Sequence, residues 1–370
     1  MAVGTRLGGA VALSAVLVLG ACSSGSNPKA VRKAGAAASS DGGSSSGPDS
    51  ASKVADPTAI AAARSAGCGP GATTVAAGST KLDITSGGDA RWYHRNVPPA
   101  HNGTTPVPLV LDLHGYSEGA DVHLMMSGLE KFGDGKGFVT LTPQGTGPVP
   151  RWDTEKGSKD LAFLGDVLDA AESQLCIDTN RVYVTGLSNG AFMTSAVACF
   201  FSDRVAAVAP VAGARTITGC RPMRPVPVVA FHGTADQYVT FDGGLGEQAL
   251  NLPAPDGSGK KLRDTLTPNA LKARAGDSIP EIMAAWAKRN GCRPGSSEQP
   301  VAADVTKVSY HCPPAGETVL YRATGAGHTW PGSTFSQSIA SLVGPTAMDI
   351  SADEIMWDFF REHPMPVGAK

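Results

Sequence analysis

The feature that most constrains the fold of this chain is a series of short apolar runs that alternate with amphipathic segments. The runs cover residues 108–115, 137–143, 181–186, 205–213, 227–233 and 317–324. Runs of this length, rich in Val, Ala and Leu, are typical of strands that are buried on both faces of a parallel sheet. Strands that alternate with helices predict an α/β fold with a mostly parallel central sheet and helices on both faces.

Helical patterns lie between several of these runs. Apolar residues spaced by three or four positions predict a helix that runs from Asp160, its N-cap, to about residue 175. A second helix is expected after Gly190. Residues 279–291 predict another helix, with a proline near its start and a glycine past its end. The last helix covers residues 351–363 and begins with a capping-box sequence.

The amino-terminal segment predicts an exported lipoprotein. Arg6 precedes an apolar run from Gly8 to Ala21, which is shorter than the roughly 20 residues that a membrane span needs. We therefore interpret residues 1–21 as a signal peptide. Cys22 ends a Leu-Gly-Ala-Cys sequence that resembles a bacterial lipobox, in which this cysteine carries the lipid and becomes the mature amino terminus. The alternative is an ordinary cleaved signal with an incidental cysteine.

The rest of the chain divides by composition into a linker and a domain. Residues 22–60 are dominated by Ser, Gly and Ala and predict a flexible tether. Residues 61–370 have a globular composition, which favours one large α/β domain with an insertion. The chain has 31 Lys+Arg and 33 Asp+Glu, a balance that offers no electrostatic basis for binding nucleic acid. We expect no nucleic-acid partner, and a monomer held by lipid at the outer face of the cell membrane or shed from it.

The cysteines predict disulfides. The chain has seven cysteines, so an even number remains once Cys22 is assigned to the lipid. The remaining ones are Cys68, Cys176, Cys199, Cys220, Cys292 and Cys312. An even number in an oxidising compartment indicates disulfides, and the residues alone leave their pairing open. None lies in a CxxC or Cys/His cluster with the spacing of a zinc site, so no metal is expected.

The stretch "VYVTGLSNGAFMTS" contains the candidate nucleophile. It passes from a strand to a helix through Gly186-Leu187-Ser188-Asn189-Gly190. A Gly-x-Ser-x-Gly sequence between a strand and a helix predicts a nucleophile elbow that exposes Ser188. The glycines permit a tight turn with close backbone neighbours, and the helix amino terminus favours a developing anion. The alternative is an ordinary Gly/Ser turn.

A serine nucleophile needs a base and an acid, which this fold class supplies later in the chain and in the order acid, then His. Asp236 follows a buried strand and is the predicted acid, with Asp242 as its rival. His328 lies in a Gly-rich loop after the last strand and is the predicted base. His311 precedes that strand and His363 lies in the terminal helix, so both are less well placed. The sequence therefore predicts a complete catalytic triad.

The oxyanion hole of such a site requires two backbone donors. The N–H of Asn189 follows the nucleophile directly and is the first candidate. The second is the N–H of Tyr116 in "LHGYSEG", where Gly115 lets the backbone come close. His114 precedes the serine in the chain, and we interpret it as a support for this loop rather than as a base.

Four motifs together resemble those of the polyhydroxybutyrate depolymerase and feruloyl esterase family of secreted α/β-hydrolases. They are "LHGYSEG", "GLSNGAFM", "HGTADQYVTFDGG" and "GAGHTWPG", and the likeness covers residues 68 to about 360. The resemblance implies an α/β-hydrolase fold, a triad of Ser188, Asp236 and His328, and catalysis without metal or organic cofactor. It also implies that Trp152 and Trp330 line the substrate cleft, with ordinary core or surface aromatics as the alternative.

The same resemblance implies a disulfide pairing. The implied bridges are Cys68–Cys176, Cys199–Cys220 and Cys292–Cys312. The second and third would hold the segments next to the catalytic loops, which is a stabilising role with a consequence for function.

These observations predict a lipid-anchored, extracytoplasmic serine esterase that hydrolyses carboxylic esters through an acyl-enzyme. Polyhydroxybutyrate oligomers, feruloylated or acetylated polysaccharides and small esters present the same carbonyl group to the triad, and the sequence does not choose among them. The alternative from another class is a catalytically inactive lipoprotein that binds glycans or lipids at the cell surface. The complete triad in the expected order argues against that alternative.

Overall fold

The computed structural model describes residues 60–69, 75–267, 276–366 and 368. They belong to one compact unit, Val54–Lys370. The predicted signal peptide, Cys22 and the predicted tether up to residue 59 lie outside the described residues. Within the described part of the chain, no helix has both the length and the apolar character needed to cross a membrane.

Ten strands of the described residues form one sheet. In chain order they are β1 (Gly78–Ser86), β2 (Asp89–Val97), β3 (Val107–Leu113), β4 (Val139–Pro143), β5 (Ile177–Leu187), β6 (Ala207–Val211), β7 (Val228–Gly233), β8 (Arg293–Ala302), β9 (Val305–His311) and β10 (Thr318–Ala323). Across the sheet the order is β1-β2-β4-β3-β5-β6-β7-β10-β9-β8. Neighbouring strands from β4 to β10 in this order are parallel. The predicted α/β class with a mostly parallel sheet is confirmed.

The parallel strands are the apolar runs of the sequence, whereas the antiparallel strands at both ends were not predicted. β1 and β2 pair with each other at one end, and β8 and β9 pair at the other. Almost every residue of β8 is exposed, and its sequence RPGSSEQPVA has no apolar alternation. Such a segment is extended because it is hydrogen-bonded to the neighbouring strand β9. Its own residues therefore do not predict a strand.

The helices of the described residues occur mostly between the strands. They are α1 (Ala120–Ser127), α2 (Leu129–Lys136), α3 (Lys159–Gln174), α4 (Asn189–Phe200), α5 (Glu247–Leu250), α6 (Ile279–Arg289), α7 (Thr334–Ser338), α8 (Ala340–Val343) and α9 (Ala352–Glu362). The helices expected from the sequence are therefore present as α3, α4, α6 and α9. Short 3-10 turns occur at Leu262–Thr265 and Pro314–Gly316.

The predicted N-cap of α3 is wrong. Ser158 is the cap, and its hydroxyl accepts a hydrogen bond from the Leu161 N–H at 3.2 Å. Asp160 instead lies in the first turn, where its carboxylate accepts from Arg91 at 2.9 Å and from the Asp153 N–H at 2.8 Å. Arg91 is distant in the sequence, so this competing ion pair is not visible from the helix alone.

Helices cover both faces of the sheet. Because alternate residues of a strand point to opposite faces, each strand contributes to two cores. Leu109 and Leu111 of β3 belong to a buried cluster that includes residues of α3, α4 and α6. Val110, between them, belongs to a second cluster with residues of α2 and α9. Burial on both faces is the physical reason that the central strands are continuously apolar.

The described residues contain three disulfides, and their pairing is the one that the family resemblance implies. The bridges are Cys68–Cys176, Cys199–Cys220 and Cys292–Cys312, with Cα–Cα distances of 4.1, 5.6 and 3.9 Å. The second joins α4 to the loop after β6. Since disulfides persist in oxidising compartments, these bridges support an extracellular protein.

Candidate active site

Four loops that follow parallel strands carry the candidate catalytic residues. β3, β5, β7 and β10 run in the same direction, so their carboxyl ends lie at the same edge of the sheet. Tyr116 follows β3, Ser188 follows β5, Asp236 follows β7 and His328 follows β10. This edge is where ligands bind in open α/β sheets.

Ser188 lies on a strained turn between β5 and α4. Its φ is 57° and its ψ is −116°, a conformation that non-glycine residues rarely adopt. A Cβ atom at Gly190 would lie 2.0 Å from the Leu113 carbonyl oxygen, and one at Gly186 would lie 2.6 Å from the same atom. The neighbouring strand β3 therefore requires both glycines. The half-buried Ser188 occupies the N-cap position of α4, as the elbow prediction expects.

Asp236 and His328 form a buried hydrogen-bonded pair. His328 Nδ1 lies 2.7 Å from Asp236 Oδ2, and the two side chains are 8% and 0% exposed. The other carboxylate oxygen accepts from the N–H groups of Tyr238 and Val239 at 2.8 and 3.0 Å. Burial opposes ionisation of Asp236, yet the neighbouring His328 imidazole, with these N–H groups, lowers the pKa of its carboxyl. A proton on Nδ1 leaves Nε2 of His328 as an acceptor, which is the tautomer that a general base requires.

The ring of Tyr238 packs on the imidazole of His328. The ring centroids are 4.8 Å apart with an interplanar angle of 27°. The Tyr238 hydroxyl donates to the Leu342 carbonyl at 3.3 Å, and the His328 N–H donates to the Val343 carbonyl at 2.7 Å. These contacts fix the orientation of His328. Tyr238 carries no signal in the sequence, because its stacking on His328 depends on the proximity in space of the loops after β7 and β10.

The rival residues lie elsewhere. Asp242 is exposed in a turn beyond Asp236. His311 is exposed at the end of β9. His363 donates to the Phe359 carbonyl at 2.7 Å at the end of α9. None of them contacts the Asp236–His328 pair in the described structure.

The candidate oxyanion donors lie on both sides of Ser188. A Cβ atom at Gly115 would lie 3.5 Å from the Cβ of Ser188, so the loop after β3 passes beside the nucleophile. Tyr116 follows in this loop, and its N–H has no acceptor among the described residues. Asn189 is the first residue of α4, where a helix leaves the N–H without an intrahelical acceptor. The arrangement leaves two backbone donors for a developing oxyanion.

His114 supports this loop, as the sequence interpretation expects. Its Nδ1 donates to the Gly115 carbonyl at 2.7 Å, and its Nε2 accepts from the Gly145 N–H at 2.8 Å. Burial lowers the pKa of His114 to about 4, so the imidazole is neutral at physiological pH. It connects the loops after β3 and β4.

The two tryptophans predicted for the substrate cleft are buried. Trp152 is 3% exposed, and its Nε1 donates to the His114 carbonyl at 2.8 Å. The backbone N–H of Trp152 donates to Asn189 Oδ1 at 2.7 Å. This bond holds the residue that follows Ser188. Trp330 is 0% exposed, and its Nε1 donates to Asp353 at 2.8 Å. This geometry favours the alternative of core aromatics, since both indoles are buried and their N–H groups are hydrogen-bonded within the protein.

A cavity of about 430 Å³ is lined by residues that adjoin the candidate triad, although Ser188, Asp236 and His328 are not among them. The lining includes Phe192, which lies one turn beyond Ser188 on α4. It also includes Val239, whose N–H donates to the Asp236 carboxylate. Arg215 also lines the cavity, and its guanidinium lies 4.7 Å from the centre of the Phe192 ring.

The walls of this cavity combine apolar and hydrogen-bonding groups. Ile279 and Ile282 of α6 contribute buried apolar surface. Thr216, Thr240 and Asp277 are polar residues of the same lining, and the Thr240 hydroxyl donates to the Gly243 carbonyl. Such a lining suits a ligand that has an apolar face and several hydroxyl groups.

Residues 234–267 follow β7 and form a long segment. This segment approaches the loop that carries Tyr116, where the Tyr116 hydroxyl donates to the Pro253 carbonyl at 2.8 Å. It also approaches the loop after β4, where Arg151 donates to the Pro255 carbonyl at 3.2 Å. The Tyr116 hydroxyl is therefore engaged by this segment, whereas the Tyr116 N–H has no acceptor among the described residues.

No cluster of three or more His, Cys, Asp or Glu side chains that could hold a metal ion occurs in the described ranges. The candidate site consists of protein groups that can transfer protons, attack a carbonyl and stabilise an anion. Acyl-transfer reactions require these three kinds of group.

Comparisons with known proteins identify esterases as relatives. No protein-family model matches the chain. Feruloyl esterase D of Neurospora crassa is 29% identical over 318 residues, which cover 82% of this chain and 92% of the relative. The bifunctional acetylxylan esterase/xylanase XynS20E of Neocallimastix patriciarum is 31% identical over 134 residues. That match covers 36% of this chain, which spans only 20% of the length of this relative.

Among solved structures, the acetyl xylan esterase from Aspergillus awamori is similar with a TM-score of 0.46 and 14% sequence identity. The match covers 71% of this chain and 98% of that structure. The strand order described above establishes the fold independently of this similarity.

Proposed function

We propose that this chain, a carboxylic ester hydrolase related to the feruloyl esterases, acts as a serine esterase with Ser188, His328 and Asp236 as its triad. The observation that carries the proposal is the 2.7 Å hydrogen bond between His328 and Asp236 at the sheet edge that also bears Ser188. The strained backbone of Ser188 supports it, since strain of this kind persists where function requires it.

In the first half of the reaction, Ser188 Oγ attacks the ester carbonyl carbon while His328 Nε2 takes the hydroxyl proton. The carbonyl oxygen becomes an oxyanion that the N–H groups of Asn189 and Tyr116 stabilise. Asp236 stays ionised and stabilises the imidazolium. His328 then gives the proton to the leaving alcohol as the carbon–oxygen bond breaks, which leaves an acyl group on Ser188.

In the second half, a water molecule attacks the acyl-enzyme. His328 accepts a proton from this water, and the same N–H groups bind the second oxyanion. Collapse of the tetrahedral intermediate returns the proton to Ser188 Oγ and releases the carboxylic acid. Every proton is transferred by one imidazole, so these steps use groups that the chain itself supplies.

We further propose that the substrates are polysaccharide esters that carry feruloyl or acetyl groups. Two relatives carry the names feruloyl esterase and acetylxylan esterase. The cavity beside α4 offers apolar residues at Ile279 and Ile282 together with polar residues at Thr216 and Asp277. A sugar unit or a hydroxylated aromatic acyl group matches this combination.

Replacement of the nucleophile tests the catalytic proposal. Ser188→Ala should lower kcat for p-nitrophenyl acetate by about four orders of magnitude, because triad members act as a unit. Its melting temperature should stay near that of the wild type. A fluorophosphonate probe should label the wild type at Ser188. Ser173→Ala, at a serine in α3 away from the site, is the matched control and should keep full activity. Wild-type turnover in Ser188→Ala would contradict the proposal.

A panel of substrates tests the substrate class. We expect higher kcat/KM for methyl ferulate or acetylated xylan than for hydroxybutyrate oligomers and p-nitrophenyl butyrate. A preference for hydroxybutyrate oligomers would replace the polysaccharide proposal with polyhydroxybutyrate hydrolysis and leave the triad assignment untouched.

A further inference from the structure

The loop that carries the Tyr116 N–H has an internal support. The Glu118 carboxylate accepts a hydrogen bond from the Gly115 N–H through Oε2 at 2.5 Å. The Glu118 N–H donates back to the Gly115 carbonyl at 3.3 Å. Ser117, which lies between Gly115 and Glu118, has a φ of 61°, and its backbone N–H donates to the Pro150 carbonyl at 2.8 Å. The peptide that presents the Tyr116 N–H is therefore held from both sides.

Glu118 is itself held by a buried histidine of α1. Its second oxygen, Oε1, lies 3.2 Å from His123 Nδ1. On the other side of the ring, His123 Nε2 lies 2.7 Å from Asp112 Oδ1 in β3. Ser127 donates to the remaining oxygen of Asp112 at 2.6 Å. A continuous chain of hydrogen bonds thus runs from the interior of the sheet to the Gly115 N–H.

The charges along this series of hydrogen bonds favour a fixed position of the Glu118 carboxylate. Burial alone would lower the pKa of His123, but the carboxylates of Asp112 and Glu118 together raise it to about 10. Burial opposes ionisation of Glu118, yet the His123 imidazolium and the Gly115 N–H lower the pKa of its carboxyl. His123 and Asp112 are 0% exposed and the Glu118 side chain is 10% exposed. The His123 imidazolium and the Glu118 carboxylate are therefore both charged and lie against each other.

The ring of His123 also reaches the loop of the catalytic histidine. Its centroid lies 5.7 Å from that of Trp330 in an edge-to-face arrangement. Trp330 follows His328 by two positions. His123 therefore packs between the loop of the oxyanion donor and the loop of the general base.

We propose that Glu118 is a positioning residue for ester hydrolysis: anchored by His123 and Asp112, its carboxylate holds the Gly115 N–H and so directs the Tyr116 N–H at the oxyanion. The inference rests on the proposed function, in which Tyr116 is an oxyanion donor. Loss of one such donor costs about 10² to 10³ in kcat, and a misplacement of about 1 Å can cost about 10². A buried ion cluster contributes little net stability compared with apolar residues, so its main effect is expected on geometry.

The test is the kinetic effect of Glu118→Ala in the full chain. We expect kcat for p-nitrophenyl acetate to fall about 10-fold to 100-fold, while KM changes less than kcat. Affinity for a boronic acid inhibitor, whose tetrahedral adduct needs the oxyanion donors, should fall in parallel. Glu118→Gln should keep most of the activity, since its amide oxygen can still accept from the Gly115 N–H.

Asp178→Ala is the matched control for the loss of a buried carboxylate. Asp178 accepts from the Ala63 and Asn180 N–H groups near the start of β5, at the opposite edge of the sheet from Ser188. It should lose stability and keep its kcat. If Glu118→Ala does not fold, Glu118→Asp replaces it. That variant keeps the charge but withdraws the carboxylate by one methylene, and a folded protein with reduced kcat supports the inference.

Wild-type kcat and boronate affinity in a folded Glu118→Ala or Glu118→Asp variant, with only a lower melting temperature, would overturn the inference. Ser188→Ala, measured in parallel, separates this result from failure of the proposed function. An inactive Ser188→Ala beside a fully active Glu118 variant rejects the positioning role alone. An active Ser188→Ala rejects the catalytic assignment itself.

Discussion

Individual side chains at this site owe their chemical state to contacts made by residues distant in the sequence. Asp236 is buried, and three hydrogen bonds from His328, Tyr238 and Val239 satisfy its carboxylate. His232 lies near the same carboxylate but donates to the Val239 carbonyl at 2.9 Å, and burial lowers the pKa of its imidazole. His328 is therefore the histidine whose orientation Asp236 determines.

The choice between the two candidate acids is testable at the residue scale. Asp236→Asn should lower kcat by about 10³ to 10⁴, because an amide permits the wrong tautomer of His328 and does not stabilise the imidazolium. Asp242→Asn should change kcat by less than about twofold, since Asp242 is exposed and away from the pair. Steady-state kinetics of both variants on p-nitrophenyl butyrate provide the measurement. A severe effect of Asp242→Asn with a mild effect of Asp236→Asn would reverse the assignment.

At the scale of elements, the loop after β10 is held by the start of α9. Trp330 donates to Asp353, a residue in the first turn of α9. Burial, together with the nearby carboxylates of Asp112 and Glu354, raises the pKa of Asp353 from an ordinary 3.8 to about 7, although the Trp330 N–H lowers it. The charge of this contact therefore changes within the physiological pH range.

This titration predicts a pH-dependent stability. A carboxyl whose pKa is raised in the folded state retains a proton that the unfolded chain releases, so stability falls as pH rises from about 4 to about 7. Asp353→Asn keeps an acceptor for Trp330 and does not titrate. The melting temperature of the variant minus that of the wild type should therefore become more positive between pH 5 and pH 8. A difference that does not depend on pH would contradict the raised pKa.

For the whole molecule, the parallel sheet and the segment between β7 and α6 both contribute to the candidate site. The central strands bring the triad candidates to one edge, and the segment between β7 and α6 approaches the same edge through Pro253 and Pro255. The three disulfides connect segments around this body. We propose that a Ser/Gly-rich tether links this body to a lipid on Cys22.

The anchor is testable in the full chain. Cys22→Ser should move the protein from the membrane fraction to the soluble fraction of bacterial cells, because the lipid is attached through that thiol. Ser26→Ala, in the predicted tether, should remain with the membranes. Fractionation and uptake of labelled fatty acid provide the measurements. A Cys22→Ser protein that still partitions with membranes would contradict the lipoprotein proposal.

Much of the central architecture is predictable because its signals are local. A strand that is buried on both faces must be apolar throughout, so β3, β6 and β7 are visible as runs in the sequence. The elbow is visible because contact with Leu113 excludes a Cβ at Gly186 and Gly190. The order of acid and histidine along the chain follows from the order of the strands that carry them.

The sequence by itself therefore determined the α/β class and predicted the elbow and the three triad candidates, since each apolar run and each motif lies within its own short segment. Only the tertiary structure decided the pairing of the exposed strand β8, the burial of Trp152 and Trp330, and the support of the loop that carries Tyr116. These depend on contacts between segments that are distant in the chain. A glutamate three residues after a glycine looks like a solvated loop residue until β3 and α1 bring Asp112 and His123 beside it.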